Sequence, residues 1–227
     1  MSRPRALLVE DSPEFVLLCT HVLEKEGFDV VVATDGGRAV ELARQERPEL
    51  AVLDLELPDV DGVEVCRRIR QFTDAYVMMV TGRDGEVDKI VGLSVGADDY
   101  VTKPFSPREL AARIQAMRRR PRAAAPSSGA REHGQLRVDP VVREASVAGE
   151  LVELTKIEFD LLDLLTSQPR RTFARGQLLE DVWGDNWGGD DHIIDVHMGN
   201  LRRKLGESAS APRHIRTVRG VGYRFEP

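Results

Sequence analysis

Side chains with complementary chemistry recur just past the ends of short apolar runs. Ala6-Leu7-Leu8-Val9 leads into Glu10-Asp11, and Leu50-Ala51-Val52-Leu53 leads into Asp54. Val77-Met78-Met79-Val80 ends in Thr81-Gly82, and the run through Tyr100-Val101-Thr102 ends in Lys103-Pro104. Such runs, bounded by turn formers, fit parallel strands buried on both faces. In open parallel sheets, sites form in the crevice outside the carboxyl ends of the strands. Glu10, Asp11 and Asp54 converging there would repel one another without a cation, and hard oxygen ligands with room for water suit Mg2+. An ionised Asp54 is then a nucleophile able to form an aspartyl-phosphate. Phosphoryl transfer needs mainly positioning and charge stabilisation, which Mg2+ and Lys103 would supply, with Thr81 bonding a phosphoryl oxygen. Unrelated turn residues would also put an Asp at one strand end. They would not put matching chemistry at four.

The elements that must position these groups alternate. Strands near 6–9, 28–33, 50–53, 76–80 and 97–101 are separated by helical patterns near 13–26, 36–46, 62–71, 84–95 and 107–119. Gly27 and Pro48 close the first two helices. Five such strand–helix units predict a doubly wound parallel sheet covered on both faces, over residues 1–120. Residues 121–133, PRAAAPSSGAREH, carry no large apolar side chain and predict a flexible linker. Residues 134–227 then predict a smaller α+β domain. It has short strands around 135–138, 141–147 and 151–153, and a helix opened by the capping-box pair Thr155 and Glu158. Helices near 175–182 and 191–205 follow, then a hairpin around Gly220 and Gly222, which makes a winged helix the leading architecture.

Charge is best weighed by segment. Residues 1–120 carry 17 Lys/Arg against 22 Asp/Glu, and residues 134–227 carry 13 against 15. Neither half is basic, yet within 202–224 seven basic residues face only Glu207, and a local patch governs attraction to phosphates. On the helix from Asp191 to Leu205, Ile193, Ile194, Val196, Met198, Leu201 and Leu205 supply the buried side. His197, Asn200, Arg202, Arg203 and Lys204 are left for outward work, and such a helix fits a major groove. No apolar run is long enough to span a bilayer, and MSRPRALLVEDS lacks a signal-peptide core, so a cytoplasmic protein without a membrane partner is expected. Cys19 and Cys66 lie in helical patterns and are expected to be buried free thiols.

VEDS, VLDLELPDVDG, VTG and GADDYVTKPFSPREL together resemble the receiver domain of bacterial two-component response regulators. DVHMGNLRRKL and IRTVRGVGYRF are similar to the winged-helix effector of the OmpR/PhoB subfamily. The resemblance spans nearly everything but the linker. It implies a flavodoxin-like (CheY-like) five-stranded receiver whose Asp54 takes a phosphoryl group from a histidine kinase. Glu10, Asp11 and Asp54 would hold Mg2+ with the Glu56 carbonyl, Thr81 and Tyr100 would form a switch pair, and Lys103, before a cis Pro104, would pair with the phosphoryl group. It further implies a phosphorylation-dependent homodimer through Lys89 with Glu109, Asp99 with Arg113 and Asp98 with Arg120, around Ile90, Leu93 and Ala112. Toward promoter DNA it implies Arg219 in the minor groove, Thr217 and Tyr223 on the backbone, and Trp183 and His197 on phosphates. The segment Gly184–Gly189, with Trp187, would meet RNA polymerase. The chain departs from some members in having His192, Gly199 and Asn200 where they carry arginines. The expected role is regulation of transcription and not enzymatic turnover. The competing readings are an aspartyl-phosphate-forming phosphotransferase or phosphatase, and a flavin carrier on the same sheet.

Overall fold

A computed structural model describes residues 3–82, 86–118, 129–184, 187 and 191–227, with the backbone alone over 86–89. The chain divides into two compact units, Met1–Arg118 and Arg119–Pro227.

The first unit alternates β1 (Arg5–Val9), α1 (Pro13–Lys25), β2 (Asp29–Ala33), α2 (Gly36–Glu46), β3 (Leu50–Asp54), α3 (Gly62–Ile69), β4 (Tyr76–Thr81), α4 (Glu86–Ser94), β5 (Asp99–Thr102) and α5 (Pro107–Arg118). Its five strands run parallel in the order β2-β1-β3-β4-β5. The order reverses between β1 and β3, where such sheets open a crevice. Every residue of β3 and β4 is buried, as their unbroken apolar runs require. Register then sets the chemistry side by side: Val9 pairs with Leu53, so Glu10 and Asp54 follow as neighbours. Thr81 pairs with Thr102, so Lys103 follows on the next strand. Gly62 opens α3 directly over this end of β3. A Cβ there would lie 2.1 Å from the Asp54 carbonyl oxygen, so only glycine permits the approach. The same loop is pinned by Asp59, which accepts from the Gly36 and Gly37 amides at 2.7 and 2.9 Å.

The second unit opens with β6 (Arg131–His133), β7 (Leu136–Asp139), β8 (Glu144–Val147) and β9 (Glu150–Leu151), a four-stranded antiparallel sheet. Then come α6 (Lys156–Ser167), β10 (Thr172–Ala174), α7 (Arg175–Val182), α8 (His192–Lys204), β11 (Ile215–Val218) and β12 (Gly222–Phe225). β11 and β12 form the hairpin, and β10 extends it in the order β10-β12-β11. The capping box closes α6 as its spacing predicts: the Thr155 amide donates to Glu158 at 2.8 Å, and the Glu158 amide to the Thr155 hydroxyl at 3.4 Å. Thr155→Ala removes one half of that pair, a loss of about 1 kcal/mol.

One boundary differs from the sequence reading. Arg131–His133, the end of the expected linker, is a strand of this domain, paired Arg131 to Val138 and His133 to Leu136. Its polar composition hides long-range partners: Arg131 bonds the Asp163 carboxylate, and the His133 ring meets Phe225 edge-on at 4.7 Å. Residues 121–128 of the expected linker lie outside the described residues.

His133 gives the domain a pH dependence. Burial, then the nearby charges of Arg131 and His214, depress its pKa below the ordinary 6.5, against a hydrogen bond that its ring donates to the Thr166 backbone. The unfolded chain therefore binds a proton that the folded domain refuses. This contribution to stability is complete above the ordinary value and is lost as pH falls through the lower folded one. Both tryptophans, Trp183 and Trp187, lie in this unit, so their fluorescence follows its unfolding. Urea melts should show stability falling on the acid side, and His133→Gln should flatten that limb. An unchanged slope in the variant would refute the assignment.

Candidate functional site

Glu10 and Asp54 are 2% and 4% exposed, while Asp11 lies open at the rim. One carboxylate oxygen from each lies within 4.8 Å of the others. Lys103 reaches across from the end of β5: its Nζ donates to Glu10 Oε2 at 2.7 Å and to Asp54 Oδ2 at 2.8 Å. Its peptide to Pro104 is cis, and its own amide bonds the Thr81 carbonyl at 2.7 Å. The remaining oxygens are also engaged, Asp54 Oδ1 by the Glu56 amide at 3.1 Å and Glu10 Oε1 by the Ser12 amide at 3.1 Å. Thr81 and Tyr100 are both buried.

Two buried carboxylates share one ammonium, with the Asp11 carboxylate beside them at the rim. Burial raises the Glu10 pKa, and the Asp54 charge adds to it, against the opposing effect of Lys103. For Lys103, burial works against the charge, but hydrogen bonds to Asp54 and Glu10 outweigh it and raise the pKa. The pocket is oxygen-lined, compact and short of positive charge. That donor set fits a small divalent cation. Phe15 of α1 is part of the site although its sequence position reads only as a helix face: its ring centre lies 4.2 Å from Lys103 Nζ. Cys19 and Cys66 are buried and free, and burial pushes both thiols up to about 12.

The face expected to dimerise is more internal than its sequence suggests. Asp99 and Arg113 are buried and bonded to each other within one chain at 2.9 Å, and Arg113 also reaches Glu109 at 3.1 Å. Asp98 is fully buried. It accepts from the Val77 amide at 2.8 Å and from Arg70, which also holds the Gly96 carbonyl at 2.8 Å. Leu93 is buried as core, whereas Ile90 is exposed and Ala112 partly so. The Lys89 side chain and Arg120 lie outside the described residues. Asp98, Asp99, Arg113 and Leu93 therefore shape this face from beneath.

Burial also marks several of the residues expected at DNA in the second unit. Trp183, His197, Asn200 and Arg202 are buried. Arg202 donates twice to the Ile215 carbonyl, at 3.1 and 2.7 Å, and once to the Thr217 hydroxyl at 2.8 Å, locking α8 to β11. Lys204 is bonded to Glu158 at 2.6 Å. The Tyr223 hydroxyl donates to Asp195 at 2.6 Å, which burial and Asp195 together express as a raised phenol pKa. Asp195, not singled out from sequence, also receives Arg175 at 2.8 Å. These side chains hold the domain together. Arg203, Thr217 and Arg219 remain exposed. Within Gly184–Gly189 only Gly184 and Trp187 are described, with the Trp187 ring 5.9 Å from Trp183.

An acidic pocket at the strand ends of a doubly wound sheet, joined in one chain to a winged helix, is the build of a two-component response regulator. Comparison with known proteins agrees over both halves. Residues 6–115 match the response regulator receiver domain family, and residues 149–225 match the family described as transcriptional regulatory protein, C terminal. The alkaline phosphatase synthesis transcriptional regulatory protein PhoP of Bacillus subtilis is 42% identical over 231 residues, covering 98% of this chain and 96% of that one. The sensory transduction protein RegX3 of Mycobacterium tuberculosis is 43% identical, covering 97% and 98%. Among solved structures, a RitR mutant superposes with a TM-score of 0.75 at 28% identity, covering 98% of this chain and 99% of its own. The chain belongs to the OmpR/PhoB family of response regulators. No helix among the described residues is long and apolar enough to cross a membrane.

Proposed function

We propose that Asp54 accepts a phosphoryl group from a histidine kinase and that this modification promotes receiver dimerisation and promoter binding. The observation that carries the reading is Lys103 bridging Glu10 and Asp54 in a pocket with too little positive charge. Bound Mg2+, held by Glu10, Asp11, Asp54 and the Glu56 carbonyl, would supply charge neutralisation for an incoming phosphoryl group. Asp54 provides the nucleophilic oxygen. Lys103 leaves Asp54 Oδ2 to pair with the phosphoryl oxygens, and Thr81 bonds another of them. Among the described residues, the hydrogen bonds to the Asp54 carboxylate come from donors, Lys103 and the Glu56 amide. That suits a stoichiometric acceptor better than a phosphatase, which needs a base to activate water.

The domains follow as a receiver over 1–120 and an effector that begins by Arg131. In the effector we assign Arg203 and Arg219, with the exposed Thr217, to DNA. RNA polymerase is the expected partner of the loop before α8, and the cytoplasm is the compartment of this work. The test is labelling of the full chain by acetyl phosphate. With Mg2+ it should incorporate up to one base-labile phosphoryl group per chain, and EDTA should prevent it. Equal labelling in EDTA, or sustained release of phosphate over many turnovers, would refute the reading.

A further inference from the structure

One side of α8 carries His192, Val196, Gly199 and Arg203, spaced four, three and four residues apart and therefore aligned on one face, all exposed except the half-buried Val196. Gly199 sits near the middle of that stripe, inside a 13-residue helix. Glycine there costs helix stability, since it is the worst helix former after proline. At Gly62, Gly222 and Gly220 the molecule shows why a glycine is needed. A Cβ on Gly62 or Gly222 would meet backbone oxygens at 2.1 and 2.0 Å, and Gly220 has a φ of +74°. Gly199 has neither reason. Its φ is not positive, and a Cβ built on it meets nothing within 4 Å among the described residues. Among the described residues nothing fills the space its missing side chain leaves, which stays open to whatever lies against the helix from outside.

We propose that Gly199 is a specificity-determining position, whose bare backbone lets α8 lie closer to the base edges of a major groove than any side chain would allow. Glycine serves close backbone approach to a ligand, and the groove admits a helix with little clearance. Arg203, one turn on, contributes charge to the same face. The proposal rests on α8 entering the groove, as assigned above.

The experiment uses the full chain and two duplexes, one enriched from a random library by the unaltered protein and one scrambled. Gly199→Ala should raise the tryptophan-monitored melting midpoint by about 4 °C, while its affinity for the enriched duplex falls. Gly199→Leu should lower that affinity by about tenfold or more and leave binding to the scrambled duplex within about twofold, because phosphate attraction is unchanged. Affinity for the enriched duplex that is retained in both variants would overturn the proposal. So would a lower melting midpoint for Gly199→Ala, which would reveal a need for glycine inside the domain. Arg203→Ala separates the two levels: if it leaves affinity unchanged, the assignment of α8 to the groove fails. If no sequence is enriched at all, the DNA-binding reading itself fails.

Discussion

Asp54→Asn should reduce Mg2+-dependent labelling by acetyl phosphate to background while the chain stays folded. The substitution keeps the shape of the side chain and removes the anionic oxygen that would attack phosphorus. It should not unfold the receiver. Lys103 keeps its 2.7 Å bond to Glu10, and the Glu56 amide can still donate to the amide oxygen of the new residue. The pocket also loses one of three mutually repelling charges. Without Mg2+, the variant receiver should therefore melt at the same temperature as the unaltered chain or slightly above it. It should also bind Mg2+ more weakly. Label persisting at the original level would place the phosphoacceptor elsewhere, and a grossly unfolded variant would leave loss of label unexplained by chemistry.

Arg202→Ala and Arg203→Ala should fail in opposite ways, although the residues are adjacent in the chain. Arg202 is 5% exposed and spends its guanidinium on the Ile215 carbonyl and the Thr217 hydroxyl. Its removal deletes charge-assisted hydrogen bonds worth about 1.5–3 kcal/mol each and opens space between α8 and the hairpin. A loss of roughly 3 kcal/mol is a large part of the 5–15 kcal/mol typical of a domain. The tryptophan-monitored midpoint should drop by more than about 10 °C. Arg203 is exposed, and among the described residues its guanidinium bonds its helix neighbour Asn200 at 3.0 Å. Its removal should change stability by no more than about 0.5 kcal/mol, yet lower DNA affinity and reduce the salt slope by about one. A stable Arg202→Ala that binds DNA poorly would restore Arg202 to the DNA contacts.

Much of the receiver is legible in its sequence because burial leaves a simple imprint. A strand covered on both faces must be apolar throughout, so the point where β1, β3 and β4 turn polar marks their ends and the pocket together. What escapes are polar side chains whose partners lie far along the chain. Arg202 looks like a solvent-facing cation until the Ile215 carbonyl arrives, and Asp98 looks like an interface acid until Arg70 closes on it. Arg131–His133 reads as linker because its sheet partner and Phe225 supply the reason for order. Phe15 fits any amphipathic helix, and only the reach of Lys103 brings it into the site. Helical periodicity distinguishes apolar from polar positions; it does not show which polar ones are buried.

Sedimentation of the full chain with Mg2+ and beryllofluoride, a stable mimic of a phosphoryl group on a carboxylate, tests the switch most directly. The unaltered chain should move from the mass of one copy to that of two, whereas Asp54→Asn should stay at one under the same conditions. A chain that remains single with the mimic bound, or an Asp54→Asn variant that pairs equally well, would contradict a switch operated through Asp54.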